Sequence, residues 1–150
     1  MRRTPSRLAR ALDASGAQTY QKHGDRVSIR RIAGVVAAVQ GLEGLEQWLA
    51  LLTLATAICN LDMHAKNIAL LHPPDGSGRL ALAYDMVPLI HYPGTDGRMA
   101  MAINVVYEHS RIRRDDLVAE SVRWGMSDVR AVPGLQDLIE STVERLRSPD

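Results

Sequence analysis

The sequence predicts a mainly α fold carrying one small β-hairpin, and three observations support that expectation. Apolar residues recur at helical spacing over residues 28–39, and a second stretch, 43–59, is apolar on nearly every side. Between residues 68 and 84, two short β-like runs flank the turn-forming Pro73-Pro74-Asp75-Gly76-Ser77-Gly78. The chain has 150 residues, 46% of them hydrophobic, and no repeat, low-complexity tract or interdomain linker, so a single domain over 1–150 is expected.

Taken in order, residues 6–14 can form a short helix, with Leu8, Ala11 and Leu12 at helical spacing, and residues 15–25 read as loop. Ser28 is the expected N-cap of a helix running to Val39, whose Ile29, Ile32, Ala33, Val36 and Val39 form one stripe. Gly41 and Gly44 break the pattern before the apolar helix of 43–59. Residues 68–71 and 79–84 are the two hairpin strands. Pro88, Pro93-Gly94 and Asp96-Gly97 make 86–98 a loop, and Met99 to Val106 is apolar enough for a strand or buried extended chain. Residues 113–124 form a helix with Leu117, Val118, Ser121 and Trp124 on one face, and a last helical region, 127–146, breaks near Pro133-Gly134. Met86, Met99, Met101 and Met126 are read as core filler.

Composition removes several function classes. A net charge of +1 provides no field to concentrate nucleic acid or anionic membrane, so neither is expected as a direct partner. The pairs Arg2-Arg3 and Arg30-Arg31, and Arg111 with Arg113-Arg114, are read as solvated helix faces and ends. The lone Cys59 excludes an intramolecular disulfide, suits a reducing compartment and is expected to be a buried, inert thiol. Met1-Arg2-Arg3-Thr4-Pro5 has no apolar segment behind it, and the apolar run 48–59 is short of the roughly 18–20 residues a membrane span needs. A cytoplasmic location is the expectation.

The chemistry converges on Asn60-Leu61-Asp62-Met63-His64-Ala65-Lys66-Asn67, a polar loop set between helix and strand, and on Asp85, which closes the second strand. Phosphoryl transfer from ATP needs one carboxylate to orient the attacking hydroxyl and accept its proton, and a carboxylate and a carboxamide to hold the magnesium that bridges the phosphates. Asp62, Asp85 and Asn67 are of the right chemical types, and Asn67 follows Asp62 by five residues, as Asn follows the base in the protein-kinase catalytic loop. Taken singly, Asp62 would be a cap or turn residue and Asp85 an Asx-turn residue; it is the combination that points to catalysis. Asn60 is read as holding the loop backbone. Lys66 could meet a phosphate of nucleotide or substrate, with a solvated lysine as the alternative. His23, His64, His72, His91 and His109 have no cysteine partners and no His-Glu-x-x-His spacing, which argues against zinc. Neither a Ser/His/Asp hydrolase nor a cysteine nucleophile has support.

Asp-x-His-x-x-Asn (Asp62, His64, Asn67) resembles the catalytic loop of atypical kinases: HipA-type toxins, aminoglycoside phosphotransferases and phosphoinositide kinases. The fuller Asn-x-Asp-x-His-x-Lys-Asn, with Ala-Tyr-Asp-Met-Val-Pro at 83–88, is most similar to the C-terminal half of HipA-like serine/threonine kinases. Arg98-Met99-Ala100-Met101-Ala102-Ile103 resembles the segment that follows in that family, and the stretch 17–25 is loosely similar to its Lys-Tyr-x-x-Gly-Gly-Pro. The resemblance implies a protein-kinase-like C-terminal lobe, the cofactors ATP and Mg²⁺, Asp62 as base with His64 bracing the loop, and Asn67 and Asp85 as metal ligands. It further implies a toxin–antitoxin setting, with a DNA-binding antitoxin and a protein substrate as partners.

Residues 1–59 contain no Gly-x-Gly-x-x-Gly, no Walker pattern and no Val-Ala-x-Lys strand, so the lobe that clamps ATP is expected in another chain or an upstream segment. Little turnover is expected without it, and a surface that such a lobe normally covers would favour self-association or a partner. Two rival readings remain: a non-catalytic module that titrates an antitoxin or kinase half, and a small-molecule phosphotransferase of the aminoglycoside type. Against the second, no acidic cluster suited to a polycationic substrate follows Asp85 closely.

Overall fold

The computed structural model describes residues 4–7, 12, 27–81, 85–127 and 140. Its centre is helix α1, Ile29–Ala57. Ser28 is extended and its hydroxyl accepts the Arg31 N–H at 3.2 Å, which satisfies one of the amides left over at a helix start. Ile29, Ile32, Ala33 and Val36 then face the core at the spacing expected of a helical stripe. At Gly41 the backbone turns left-handed (φ 65°, ψ −147°), and the helix kinks where the sequence predicts a break. Beyond the kink Gly44 lies against Val36 and Gln40; a Cβ there would come within 2.8 Å of Val36 Cγ1 and Gln40 Cβ. Trp48, Leu49, Leu52 and Ala55 complete the buried face, with Trp48 tilted against Trp124 at a centroid distance of 6.4 Å. No described helix is long and apolar enough to cross a membrane.

Two small antiparallel sheets flank this helix. Strands β1 (Thr4–Arg7), β2 (Ala69–His72) and β3 (Arg79–Leu80) form the first in that order, with Ser6 opposite Leu70 and Leu70 opposite Leu80. The β2–β3 hairpin is the expected one, and its connector is shaped by Asp75 Oδ1, which accepts both the backbone N–H (2.9 Å) and the hydroxyl (2.6 Å) of Ser77. Those two bonds hold the Asp75 carboxyl below its usual range. β3 is pinned to the helix: Gln40 Oε1 accepts the Leu80 N–H at 2.8 Å, and Gln47 Nε2 donates to the Leu80 carbonyl at 3.3 Å. The second sheet pairs β4 (Arg98–Ile103) with β5 (Val106–Glu108) through the tight turn Asn104-Val105, both residues left-handed (φ 48° and 67°). Helix α2, Arg114–Arg123, starts where Asp116 Oδ2 accepts the Arg113 N–H at 2.8 Å. It holds that turn through Glu120 Oε2, which accepts the Asn104 N–H at 2.8 Å, and Asp116 Oδ1, which accepts from Asn104 Nδ2 at the same distance.

The outcome departs from the expectation in its β content. Among the described residues there are two helices and two small sheets, where the sequence predicts mostly helix and a single hairpin. Ser6 and Arg7 belong to a strand instead of a helix, because β2 offers its open edge to Thr4–Arg7 and main-chain pairing outweighs local spacing. Met99, Met101 and Met126 are buried in the core and Met86 packs against it, as expected of filler. Tyr84, and all of the region 127–146 except Ser127 and Glu140, lie outside the described residues.

Candidate functional site

The site begins where α1 stops. Cys59 adopts φ 59°; its N–H bonds to the Thr56 carbonyl (3.2 Å) and the Asn60 N–H to that of Ala55 (2.8 Å), the paired bonds that end a helix with a left-handed residue. Glycine usually takes that place; here a half-buried cysteine does, with its thiol pushed above the usual range by burial. The thiol is therefore protonated at neutral pH, as expected of an inert cysteine, though less buried than the apolar run suggests. His109 Nε2 donates to the Thr56 carbonyl at 2.7 Å and holds the last turn from outside.

From that stop the chain enters residues 60–68 with Leu61, Met63 and Ala65 sunk into the core. Three apolar anchors at alternate positions fix the loop, and Asp62, Lys66 and Asn67 stay partly exposed between and beyond them. The Leu61 carbonyl accepts the Ala100 N–H of β4 at 2.8 Å, tying the loop to the second sheet. The Asp62 carbonyl accepts twice, from the His64 N–H at 2.9 Å and from Asn67 Nδ2 at 3.2 Å. The backbone under the Asp62 carboxylate is thereby held by the residue five positions on. Since a carbonyl can only accept, the Asn67 amide must turn its NH₂ inward, which presents Oδ1 on the other side.

Asp62, His64, Lys66 and Asn67 thus share one braced loop, with Lys66 and Asn67 on the short 3-10 turn Ala65–Asn67. His64 is buried with Nε2 3.7 Å from Asp62 Oδ2, an electrostatic contact too long for a hydrogen bond. Asp85 is exposed and left-handed (φ 56°). Its segment joins the loop through Met86, whose Sδ accepts from Asn60 Nδ2 at 3.2 Å. The expectation that Asn60 holds the loop backbone is corrected accordingly: its amide crosses to the segment that bears Asp85.

Beside Asp62 opens a cleft of about 290 Å³, with Leu61, Leu89 and Ala100 forming apolar wall and Thr95, Asp96 and Arg98 polar rim. The Arg98 guanidinium is held there by Glu108 Oε1 at 2.9 Å and lies 5.1 Å from the Tyr107 ring centroid. Nothing in the spacing of residues marks Thr95, Asp96 and Arg98 as cleft residues: they lie in a Pro/Gly-rich loop and at a strand start, and only tertiary pairing carries them to Asp62. Magnesium takes oxygen ligands, few of them from protein. The oxygens of Asn67 and Asp85 suit that requirement, and the inward NH₂ leaves Asn67 presenting the ligating end of its amide.

A family model described as the HipA-like C-terminal domain matches residues 2–148. Among solved structures, a chain from the complex of HipA, HipB and operator DNA of the Shewanella oneidensis MR-1 toxin–antitoxin system superposes with a TM-score of 0.76 at 23% identity. The match covers 97% of the present chain and 35% of that one, so the chain spans about a third of its length. Comparison with curated proteins gave no match.

Proposed function

We propose that this chain, which belongs to the HipA-like C-terminal domain family, serves as the catalytic half of an ATP-dependent serine/threonine kinase, built as a protein-kinase-like C-terminal lobe. The observation that carries this reading is the Asn67 amide, anchored by its nitrogen on the Asp62 carbonyl so that its oxygen faces away from the loop. That arrangement makes the base and a metal ligand one rigid unit, which is the positioning phosphoryl transfer demands.

In this reading Asp62 orients the acceptor hydroxyl and takes its proton as the oxygen attacks the γ-phosphorus of ATP, whose bond to the β–γ bridging oxygen breaks so that ADP leaves. The burial of His64 beside it, with Leu61, Met63 and Ala65 in the core, keeps the Asp62 backbone from shifting. Asn67 Oδ1 and the Asp85 carboxylate would hold magnesium, whose charge would offset that of the nucleotide phosphates. Lys66, on the same turn, supplies a cation for a phosphate of nucleotide or substrate. Groups that grip the remaining phosphates come from outside these 150 residues, in the same polypeptide or in a partner, so the chain alone binds Mg-ATP weakly. The setting is that of a toxin acting in the cytoplasm on a protein substrate and restrained by a DNA-binding antitoxin. The resemblance to a chain solved with HipB and operator DNA supports that setting.

The test is calorimetric titration of the chain with millimolar ATP, with and without Mg²⁺, beside Asp85→Ala and Asp62→Ala. Magnesium-dependent binding that Asp85→Ala abolishes and Asp62→Ala retains is expected. Binding indifferent to magnesium, or to Asp85→Ala, would refute the assignment. Once transfer to a protein acceptor is assayed, Asp62→Ala should lower its rate by ~10²–10⁴-fold.

A further inference from the structure

His109 stands at the joint between α1 and the second sheet, directly after β5. Its backbone N–H donates to the Gly97 carbonyl at 2.9 Å, one step beyond the pairing of Arg98 with Glu108, and so extends the ladder to the turn at the cleft rim. Its ring reaches the other way, to the Thr56 carbonyl at 2.7 Å. A carbonyl only accepts, so Nε2 carries the proton. The Thr56 carbonyl lies in the last turn of α1, where no helical amide follows four residues on. It also takes the Cys59 N–H at 3.2 Å, and its two lone pairs accommodate both donors. We propose that His109 is a positioning residue: its ring fixes the last turn of α1 against the cleft rim, and so sets how the Asp62 loop faces Asp96 and Arg98.

The inference rests on the phosphoryl-transfer reading above, since the groups that His109 positions are those of that site. Both segments of the site depend on the last turn of α1. Asn60, just past it, donates from Nδ2 to Met86 Sδ at 3.2 Å and so holds the segment of Asp85. Leu61 and then the loop of Asp62 to Asn67 follow in the chain. A second tie joins the sheet to that loop, the Ala100 N–H on the Leu61 carbonyl at 2.8 Å. One hydrogen bond is a hinge. Two, one from β4 and one from the end of β5, remove the rotation about it. Glu108, the residue before His109, holds the Arg98 guanidinium at 2.9 Å, so consecutive side chains grip the rim's cation and the helix end. A misplacement of about 1 Å between reacting groups can cost ~100-fold in rate. A joint between base and rim is therefore where a residue outside the cleft acts on the reaction.

The experiment compares His109→Ala, His109→Phe and His109→Gln with the parent chain, at a temperature where circular dichroism shows each to be folded. Phe keeps a ring without a donor, and Gln keeps an N–H donor without the ring, so the pair separates the hydrogen bond from packing even where Ala fails to fold. Two quantities are read: Mg-ATP affinity by calorimetry, and hydrogen exchange at the amides of Cys59, Asn60 and Ala100. In the Ala and Phe variants the dissociation constant should rise about fivefold and exchange should quicken about fivefold, as expected for one hydrogen bond of ordinary net strength. Gln should bring both back to within about twofold of the parent. Faster exchange with unchanged Mg-ATP affinity would make His109 a brace of the fold only, which overturns its positioning role and leaves the kinase reading standing. Parent-like behaviour of Phe, or failure of Gln to recover what Phe loses, would do the same. A parent chain that binds no Mg-ATP overturns both.

Discussion

In the proposed reading Asn67 does two jobs with the two ends of one amide, bracing the loop and offering oxygen to magnesium, and a single substitution would separate them. In Asn67→Asp the carboxylate can still offer oxygen to magnesium, but it cannot donate to the Asp62 carbonyl and sets two acceptors against each other. We expect a loss of about 1–3 kcal/mol in unfolding free energy, read from the urea midpoint. Magnesium-dependent ATP binding should survive in weakened form; a variant as stable as the parent would show that the bond does not brace the loop. At this scale Asp62 and Asn67 were legible because both lie in one short loop, where covalent spacing fixes their relation. Asn60 was read as bracing the loop and instead bonds Met86, since no local rule says which of two loops an amide will cross to. Thr95, Asp96 and Arg98 were invisible for the same reason: their place beside Asp62 follows from β4 pairing with Leu61, a contact between distant parts of the chain.

At the scale of elements, the kinked helix is the feature with the sharpest consequence. Gly44 has no room for a Cβ against Val36 and Gln40. Gly44→Ala should therefore cost about 1–3 kcal/mol, despite alanine's better helix propensity, because a packed contact would have to open. Thermal unfolding measures it; a raised midpoint would mean that the two halves of α1 can move apart freely. Gly41 was legible as the break between two helical stretches, whereas Gly44, read the same way, lies inside the second of them. The strand β1 was not, since four residues are too few for a period-two pattern and its stability comes from the edge of β2. The run Met99–Ile103 was open between strand and extended chain because it is buried on both faces and shows no alternation.

For the whole molecule, the proposed site, drawn from several segments, should be stabilised by what binds across them. The Asp62 loop hangs on α1, the Asp85 segment on Asn60 through Met86 and the cleft on β4, so a ligand touching all three would resist unfolding of the whole. With ATP at ten times its dissociation constant, magnesium should add about 1.4 kcal/mol to the unfolding free energy, and Asp85→Ala should remove that gain. An identical midpoint with and without Mg-ATP would argue against a shared site. The fold class was legible in outline, since buried helices dominate its core, and the added sheet strands were not, since each depends on a partner far along the chain.

The pair Gln40 and Gln47 has a meaning beyond holding a hairpin in place. The outer strand of a small sheet presents bare amide and carbonyl groups, which another molecule can use to extend the sheet from one copy to the next. Here the two glutamines, set on either side of the Gly41 kink, occupy both main-chain groups of Leu80 as a neighbouring strand would. The helix thus acts as a stopper against runaway self-association. Replacing both by alanine should leave the fold in place yet shorten the time to visible aggregation on gentle warming, as light scattering would record.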